Sequence, residues 1–172
     1  MKIIPSVIGL GYVGLPLFIR LQKKFRTIGF DTDKSRISKL NQKIDINKEF
    51  SKKDLVLKKG SYLTEKISRL KTSNFFIVTV PTPVNKNNTP NLEYLKKSCL
   101  IVGRILKKND IVFFESTVYP GVTENFCAKI LEQKSKLKLN RDFHIGYSPE
   151  RINPGDKNHS VDKINKIVST NN

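Results

Sequence analysis

The 172-residue sequence has no tryptophan, one methionine and only two cysteines, Cys99 and Cys127. The two cysteines lie far apart in the chain, without the close spacing of paired metal ligands. We therefore expect no metal site. Both thiols fall in predicted helices, where a cysteine usually serves as a small buried hydrophobic group.

Long hydrophobic runs are missing as well. No apolar stretch approaches the roughly 18 residues that a membrane-spanning helix requires. The N-terminus also lacks the pattern of a signal peptide. These absences predict a cytoplasmic protein that has no membrane partner, and the length fits one domain with a sizeable core.

Acidic residues are scarce, with 15 Asp and Glu against 32 Lys and Arg, which gives a net charge of +17. Such an excess indicates anionic partners, among them nucleotides and nucleic acids. The lysines are spread along the chain, however, and no aromatic residues are interleaved with a basic cluster, as they are in proteins that bind single strands. A solvated basic surface is favoured, and nucleic-acid binding stays the weaker alternative.

The first 31 residues form the most informative segment. An apolar stretch at 3–8 is followed by the glycine-rich sequence GLGYVG at 9–14, a helical pattern to Phe25, and TIGFD at 27–31. This order is typical of a strand, a tight turn, a helix and a second strand that ends in an acid. One residue disagrees with it, because Pro5 removes a backbone donor from the first strand. Pairing should therefore begin at Ser6, or Pro5 should lie beyond the edge of the sheet.

Each residue type in this segment suits a dinucleotide. Gly9 permits the tight turn, Gly11 lets a pyrophosphate approach the backbone, and Gly14 lets the helix pack close to the strand. Backbone N–H groups at the helix N-terminus would hold the phosphates. Asp31 can accept hydrogen bonds from the adenosine ribose and would repel a 2′-phosphate, so the pattern favours NAD over NADP.

The remainder alternates strands and helices. Apolar and β-branched runs predict buried strands at 75–80 and 111–114, and a further strand is predicted at 143–147. We also expect a loop and short helix within 41–59, a strand at 61–63, a helix at 65–70 capped by Thr64, helices at 92–107 and 122–133, and an edge strand at 164–168. The alternation predicts an α/β fold with a doubly wound parallel sheet of the Rossmann type. Ligands bind such sheets at the carboxyl ends of the strands.

Four motifs together resemble the UDP-glucose/GDP-mannose dehydrogenase family. They are GLGYVGLP at 9–16, VTVPTP at 78–83, ESTVYPG at 115–121 and YSPERINPGD at 147–156. The fourth is similar to the branch that oxidises UDP-N-acetylhexosamines, such as the UDP-N-acetylglucosamine and UDP-N-acetylgalactosamine 6-dehydrogenases. The resemblance implies NAD as cofactor, a UDP-N-acetylhexosamine as substrate, and a role in bacterial surface-polysaccharide synthesis.

The resemblance also implies roles for individual residues. Thr117 and Glu150 would be catalytic and handle a water and its proton, and Glu150 and Arg151 would face the nucleotide sugar. Thr117 would also lie near the nicotinamide. The implied cofactor-binding residues are Gly9, Leu10, Gly11, Tyr12, Val13, Gly14, Asp31, Arg36, Thr82 and Thr117. Taken singly, Thr117 and Glu150 would more often be a helix cap and a solvated carboxylate, and Arg36 a solvated helix residue.

A feature of the family is missing from this sequence. The family oxidises an alcohol twice, through an aldehyde and a cysteine-bound thioester, which requires a cysteine in a Gly-Gly-x-Cys setting. Neither Cys99 nor Cys127 has that setting. We therefore expect residues 1–172 to be a nearly complete NAD-binding Rossmann domain without the central helix and the UDP-sugar domain, inactive alone. A fragment, a split gene product and a truncated relative all fit.

Several alternatives stay open at this point. The chain could pair with a separate C-terminal half, form a homo-oligomer, or be a non-catalytic NAD-binding module or remnant. The sequence does not specify which UDP-sugar would be used.

Overall fold

The computed structural model describes residues 2–149 and 167–170, and in that part of the chain seven strands form one sheet. The order across the sheet is β3-β2-β1-β4-β5-β6-β7. All neighbours are parallel except β6 and β7. The strands are β1 (Pro5–Ile8), β2 (Ile28–Phe30), β3 (Tyr62–Thr64), β4 (Phe75–Val78), β5 (Asp110–Phe114), β6 (Phe143–Tyr147) and β7 (Ser169–Thr170).

Helices connect the parallel strands. They are α1 (Gly14–Leu21), α2 (Lys34–Asn41), α3 (Glu93–Gly103) and α4 (Ala128–Ser135), with a 3₁₀-helix at Ile67–Thr72 and a π-helix at Val122–Cys127. The start of α2 shows how the sequence sets a boundary. The side chain of Asp33 accepts hydrogen bonds from the backbone N–H groups of Ser35 and Arg36, which caps the helix.

Apolar side chains cover both faces of the sheet. In β1, Val7 belongs to a cluster with Leu15 and Phe18 of α1, whereas Ile8 belongs to a second cluster that includes Leu95 of α3 and Leu131 of α4. Successive residues of a strand point to opposite faces, so burial on both sides requires a continuous apolar run. The predicted doubly wound α/β fold is confirmed.

Pro5 is the first residue of β1, a position that tolerates the missing N–H. It is in register with Phe75 of β4, while pairing with β2 begins at Ser6 opposite Ile28. The expectation that pairing starts at Ser6 is therefore right for one neighbour only. A proline can occupy this central strand because it lies at its beginning.

The segment between α2 and β3 differs from the prediction. Residues 42–61 form turns, and the short helix expected within 41–59 is absent. Two lysines in this segment, Lys43 and Lys48, have positive φ angles of 61° and 57°. The carboxylate of Asp45 accepts backbone N–H groups that a helix would have used internally, which explains why turns form instead.

The next predicted helix is also different. Thr64 belongs to β3 and does not cap a helix, although its hydroxyl oxygen accepts the N–H of Lys66. The helical turns after it are 3₁₀ in type and lie at Ile67–Thr72, later than the expected 65–70. Short 3₁₀ segments are common connectors between strands.

Several boundaries later in the chain need correction, among them the end of α3, which lies at Gly103 and not at 107. Strand β4 ends at Val78, two residues before the predicted end, because Thr79 turns toward the glycine segment. The helix expected at 122–133 begins as the π-helix and becomes α-helical only at Ala128. The last strand is Ser169–Thr170 and runs antiparallel to β6, whereas most of the predicted 164–168 lies outside the described residues.

Within the described residues, no helix is both long and apolar enough to cross a membrane. The same part of the chain contains no group of three or more His, Cys, Asp or Glu side chains that could hold a metal ion.

The turn before β6 generates a prediction about pH. The Arg141 guanidinium, 2.7 Å from the Asp142 carboxylate, together with the N–H of Lys138, lowers the pKa of Asp142 to about 2. A lowered pKa stabilises the fold above the unfolded-state pKa, and this contribution is lost as the pH falls toward 2. Asp142→Asn should therefore be less stable than the parent near pH 5 and nearly equal to it near pH 2.

Urea unfolding of both proteins between pH 2 and pH 5, followed by circular dichroism, measures this difference. A stability difference that stays constant over the whole range would show that the Asp142 charge has no such role.

Candidate functional site

The candidate site lies at the carboxyl ends of β1 and β4. The chain leaves β1 toward β2 on one side, while β4 pairs with β1 on the other side, so the connections diverge at this point. Such a divergence leaves a crevice at the sheet edge, where α/β proteins bind ligands. Residues 9–14, Asp31, 79–83 and 115–117 all follow strands that end at this edge.

The three glycines of the turn differ in their backbone conformation and in the space around them. Gly9 has φ of +95°, and its N–H donates to the carbonyl oxygen of Phe30 at 2.8 Å. A Cβ on Gly14 would lie 1.8 Å from the Gly9 carbonyl oxygen, so α1 can approach β1 only without a side chain there. A Cβ on Gly11 would meet no atom within 4 Å. Gly11 therefore faces open space, as a phosphate-binding position requires.

The start of α1 is suited to an anion. Its N-cap is Val13, no side chain caps the helix, and its first turn contains no acidic residue. Gly11 and Tyr12, at the tip of the turn, are exposed. The first N–H groups of a helix lack partners within the helix and carry partial positive charge, so they can bind a phosphate.

Thr79 is a positioning residue that the sequence interpretation missed. Its Oγ1 donates toward the carbonyl oxygens of Gly9 at 2.8 Å and Ile8 at 3.1 Å. The residue is buried and follows the last residue of β4. Its hydroxyl therefore attaches the glycine turn to the neighbouring strand. A threonine within an apolar run was interpreted only as a strand residue, although its location at the strand end was a usable signal.

Asp31 is half-buried and contacts the glycine turn directly. Its Oδ2 accepts the N–H of Leu10 at 2.8 Å, and its Oδ1 accepts the N–H of Asp33 at 3.0 Å. Each carboxylate oxygen can accept a second hydrogen bond. The carboxylate can therefore fix the turn and still bind a ribose hydroxyl.

Arg36 is not the solvated helix residue that it would be by default, since the residue is only 5% exposed. Its Nε donates to the carbonyl oxygen of Leu10 at 3.0 Å, and its Nη1 donates to Asp45 Oδ1 at 2.8 Å. Its Nη2 is buried without a hydrogen-bond partner in the described structure. The guanidinium thus lies beside the turn with one buried donor nitrogen unpaired.

Asp45 was not identified from the sequence, although it is the ionic partner of Arg36. Burial alone would raise the pKa of Asp45, but hydrogen bonds from Arg36 and from the N–H groups of Asn47 and Glu49 outweigh it and lower that pKa. The carboxylate is therefore ionised at neutral pH. No motif marked Asp45, because its contacts depend on how residues 42–61 fold.

The other predicted cofactor residues meet at the ends of β4 and β5. Thr82 Oγ1 donates to the carbonyl oxygen of Thr117 at 2.5 Å, and Ser116 Oγ donates to the carbonyl oxygen of Val80 at 2.7 Å. The structure thus brings Thr82 and Thr117 together, and Thr117 is exposed at the sheet edge. A pocket of 330 Å³ lies beyond Thr117, lined by Val118, Tyr119, Pro120, Gly121, Thr123, Glu124 and Tyr147.

A larger pocket of 490 Å³ contains none of the predicted site residues. It lies between α1 and residues 50–58, and its cations are Arg20, Lys23, Lys53 and Lys58. Because none of its lining residues belongs to the predicted site, this pocket is separate from the candidate site.

Glu150 and Arg151 lie outside the described residues. Strand β6, which leads to them, ends at the same edge as β5, and the N–H of Ser148 donates to the carbonyl oxygen of Phe114 at 3.0 Å. Their catalytic and substrate-binding roles stay predictions.

Cys99 and Cys127 are both buried, as expected for hydrophobic groups. A hydrogen bond between the two thiols, together with burial, raises the pKa of Cys99 well above its ordinary value. Nucleophilic cysteines require the thiolate and access to substrate. Burial denies both residues access to substrate, and the raised pKa also disfavours the thiolate of Cys99.

Comparison with known proteins agrees with the geometry. The sequence model of the UDP-glucose/GDP-mannose dehydrogenase family, NAD binding domain, matches residues 1–172. The chain belongs to this family. The expectation raised by the four motifs is thus confirmed, and the glycine turn lies in the family's NAD-binding domain.

Individual relatives show which members of the family the chain is similar to. The chain is 47% identical to UDP-N-acetyl-D-glucosamine 6-dehydrogenase of Salmonella typhi and 48% identical to that of Pseudomonas aeruginosa. Each alignment covers 95% of this chain and 39% of the relative. The structure of UDP-D-ManNAc dehydrogenase from Pyrococcus horikoshii superposes with a TM-score of 0.82 at 34% identity, over 89% of this chain and 37% of that one. The chain therefore spans about two fifths of the length of these relatives.

The glycines provide a matched pair of variants. Gly14→Ala should destabilise the fold by about 1–3 kcal/mol or more, because the added methyl collides with a backbone oxygen. Gly11→Val should change the stability little and abolish cofactor binding, since the side chain would occupy the open space at the turn.

Urea unfolding and NADH fluorescence titration of both variants give the two measurements. Unchanged NADH affinity in a folded Gly11→Val protein would show that this turn does not bind the phosphates.

Proposed function

We propose that this chain is the NAD-binding part of a nucleotide-sugar 6-dehydrogenase that oxidises a UDP-N-acetylhexosamine to the uronic acid. The observation that carries the proposal is the glycine turn, which is open at Gly11 and leads into the uncapped start of α1. Asp31 and Arg36 flank the turn on the side expected for the adenosine. The named relatives act on UDP-N-acetylhexosamines, which supports the substrate class.

The residues present fit NAD group by group. N–H groups at the start of α1 would hold the diphosphate. The free acceptor capacity of Asp31 would bind the adenosine ribose diol, and the Nη2 of Arg36 is a further donor on that side. Thr82 and Thr117 would line the nicotinamide half. When bound, NAD supplies the hydride acceptor for the oxidation.

The catalytic roles concern the ends of β5 and β6. Thr117 would order a water with its exposed hydroxyl, and Glu150 would take the proton of that water. Glu150 and Arg151 would contact the UDP-sugar. The nucleophilic cysteine, the central helix and the UDP-sugar domain would come from a C-terminal part, either in the same longer protein or in a separate chain.

Cofactor selectivity provides a test of Asp31. Asp31→Asn should weaken NADH binding and reduce the preference for NADH over NADPH by about tenfold, because the repulsion of a 2′-phosphate is lost. Titration of parent and variant with both nucleotides measures this ratio. If the parent binds NADPH as tightly as NADH, the role assigned to Asp31 is wrong.

Measuring enzyme turnover tests whether the nucleophilic cysteine has to come from a C-terminal part. The 172-residue chain alone should form no NADH from NAD and a UDP-N-acetylhexosamine, since both of its thiols are buried in the core. Adding a matching C-terminal half should restore NADH formation, measured by absorbance. In that reconstituted enzyme Glu150→Gln should slow the reaction by roughly 10²–10⁴, and Thr117→Ala by less, because water can partly replace a hydroxyl.

Steady NADH formation by the chain alone would show that no second part is needed. Cys99 and Cys127 would then have to be considered as nucleophiles.

A further inference from the structure

We propose that Asp45 is a positioning residue for the glycine turn, which it controls through Arg36 and the peptide between Leu10 and Gly11. The proposal rests on the proposed function in one respect only, that this turn receives the phosphates of the cofactor. Among the described residues, no hydrogen bond joins Asp45 to the glycine turn itself.

The first link is a buried ion pair. Asp45 Oδ1 lies 2.8 Å from Arg36 Nη1, and the two side chains are 0% and 6% exposed. A guanidinium has a rigid planar fork, so fixing one nitrogen fixes the direction of the others. Asp45 therefore sets where the Nε of Arg36 points.

The second link is the Leu10 carbonyl. Arg36 Nε donates to this oxygen at 3.0 Å. The oxygen belongs to the same planar peptide as the N–H of Gly11, and in a trans peptide the two groups point in opposite directions. Holding the carbonyl on the Arg36 side thus directs the Gly11 N–H away from Arg36.

Asp31 and Arg36 hold adjacent peptide groups of the turn. Asp31 accepts the N–H of Leu10, in the peptide that follows Gly9, whereas Arg36 binds the carbonyl of the next peptide. Two successive planes are thereby fixed before any ligand arrives. Preorganised donors bind an anion better than mobile ones, since no ordering has to accompany binding.

Asp45 also organises its own loop. Its Oδ2 accepts the N–H groups of Glu49 and Phe50 at 3.0 and 3.2 Å, and its Oδ1 accepts that of Asn47 at 3.1 Å. An effect of Asp45 could therefore arise from the loop alone. The two roles are separable, because only the positioning role passes through Arg36.

A double-mutant cycle with a local measurement separates them. In the ligand-free, ¹⁵N-labelled chain, Asp45→Asn and Arg36→Met should each speed hydrogen exchange of the Leu10 amide by about tenfold, relative to the Val7 amide of β1. They should also shift the Gly11 ¹⁵N resonance. The double variant should exchange no faster than Arg36→Met alone, since the effect of Asp45 runs through that side chain.

The control is Asp142→Asn, which removes a similarly shielded, cation-paired carboxylate near the start of β6, at the opposite end of the strands. It should leave the exchange of Leu10 relative to Val7 within about twofold of the parent. If Asp45→Asn does not fold, Arg36→Lys replaces it, because a lysine keeps the charge beside Asp45 without a fork that reaches the Leu10 oxygen. The same tenfold rise is expected.

NADH affinity gives the functional readout. Asp45→Asn should weaken NADH binding about fivefold in the parent and less than twofold in the Arg36→Met background. Equal losses in both backgrounds, or unchanged Leu10 exchange in folded Asp45→Asn, would overturn the proposal. If the parent itself fails to bind NADH, the proposed function fails, and the exchange measurements still decide the role of Asp45.

Discussion

The contact between Gly14 and the Gly9 carbonyl is the constraint on which the site depends. A Cβ atom at position 14 would lie far inside the van der Waals contact distance to that oxygen, so the helix can approach the strand only with glycine there. This approach brings Leu15 and Phe18 into the core beside Val7. The same packing that stabilises the sheet therefore fixes the helix N-terminus at the edge where the phosphates are expected.

The end of β4 joins the two halves of the candidate site. Thr79 binds the carbonyl groups at the end of β1, Val80 accepts the hydroxyl of Ser116, and Thr82 binds the backbone at Thr117. Each contact uses one residue of the VTVPTP segment. Because β4 lies between β1 and β5, a single short segment can hold both halves of the candidate site in a fixed relation.

The parts that sequence predicts well are those governed by local rules. Buried parallel strands are recognised as apolar runs, and the glycine turn has its own spacing, so the sheet and the turn between β1 and α1 were predicted correctly. Thr79 and Asp45 were missed for a different reason. Their roles arise from hydrogen bonds to residues 70 and 9 positions away in the chain, and no periodicity carries that information.

The segment 42–61 shows why local propensity failed. Its composition allows a short helix, but the Asp45 carboxylate gathers the backbone N–H groups of the segment and pairs with a guanidinium from α2. A buried charge is stable only with such partners. The tertiary requirement of one side chain therefore overrides the weak helical preference of its neighbours.

The charge of the chain has little to do with the proposed phosphate site. Among the described residues that the family resemblance assigned to the cofactor, Arg36 is the only cation, and its charge is balanced by Asp45. The cations Arg20, Lys23, Lys53 and Lys58 line a separate pocket. Attraction for a diphosphate at the turn therefore has to come from backbone N–H groups and the dipole of α1, which are oriented by packing.

A net charge of +17 would have suggested a binding surface made of lysines. The structure instead supports a site whose strength depends on the direction of a few peptide groups, and that is why the residues that hold the Leu10 peptide matter more here than the abundant surface charge.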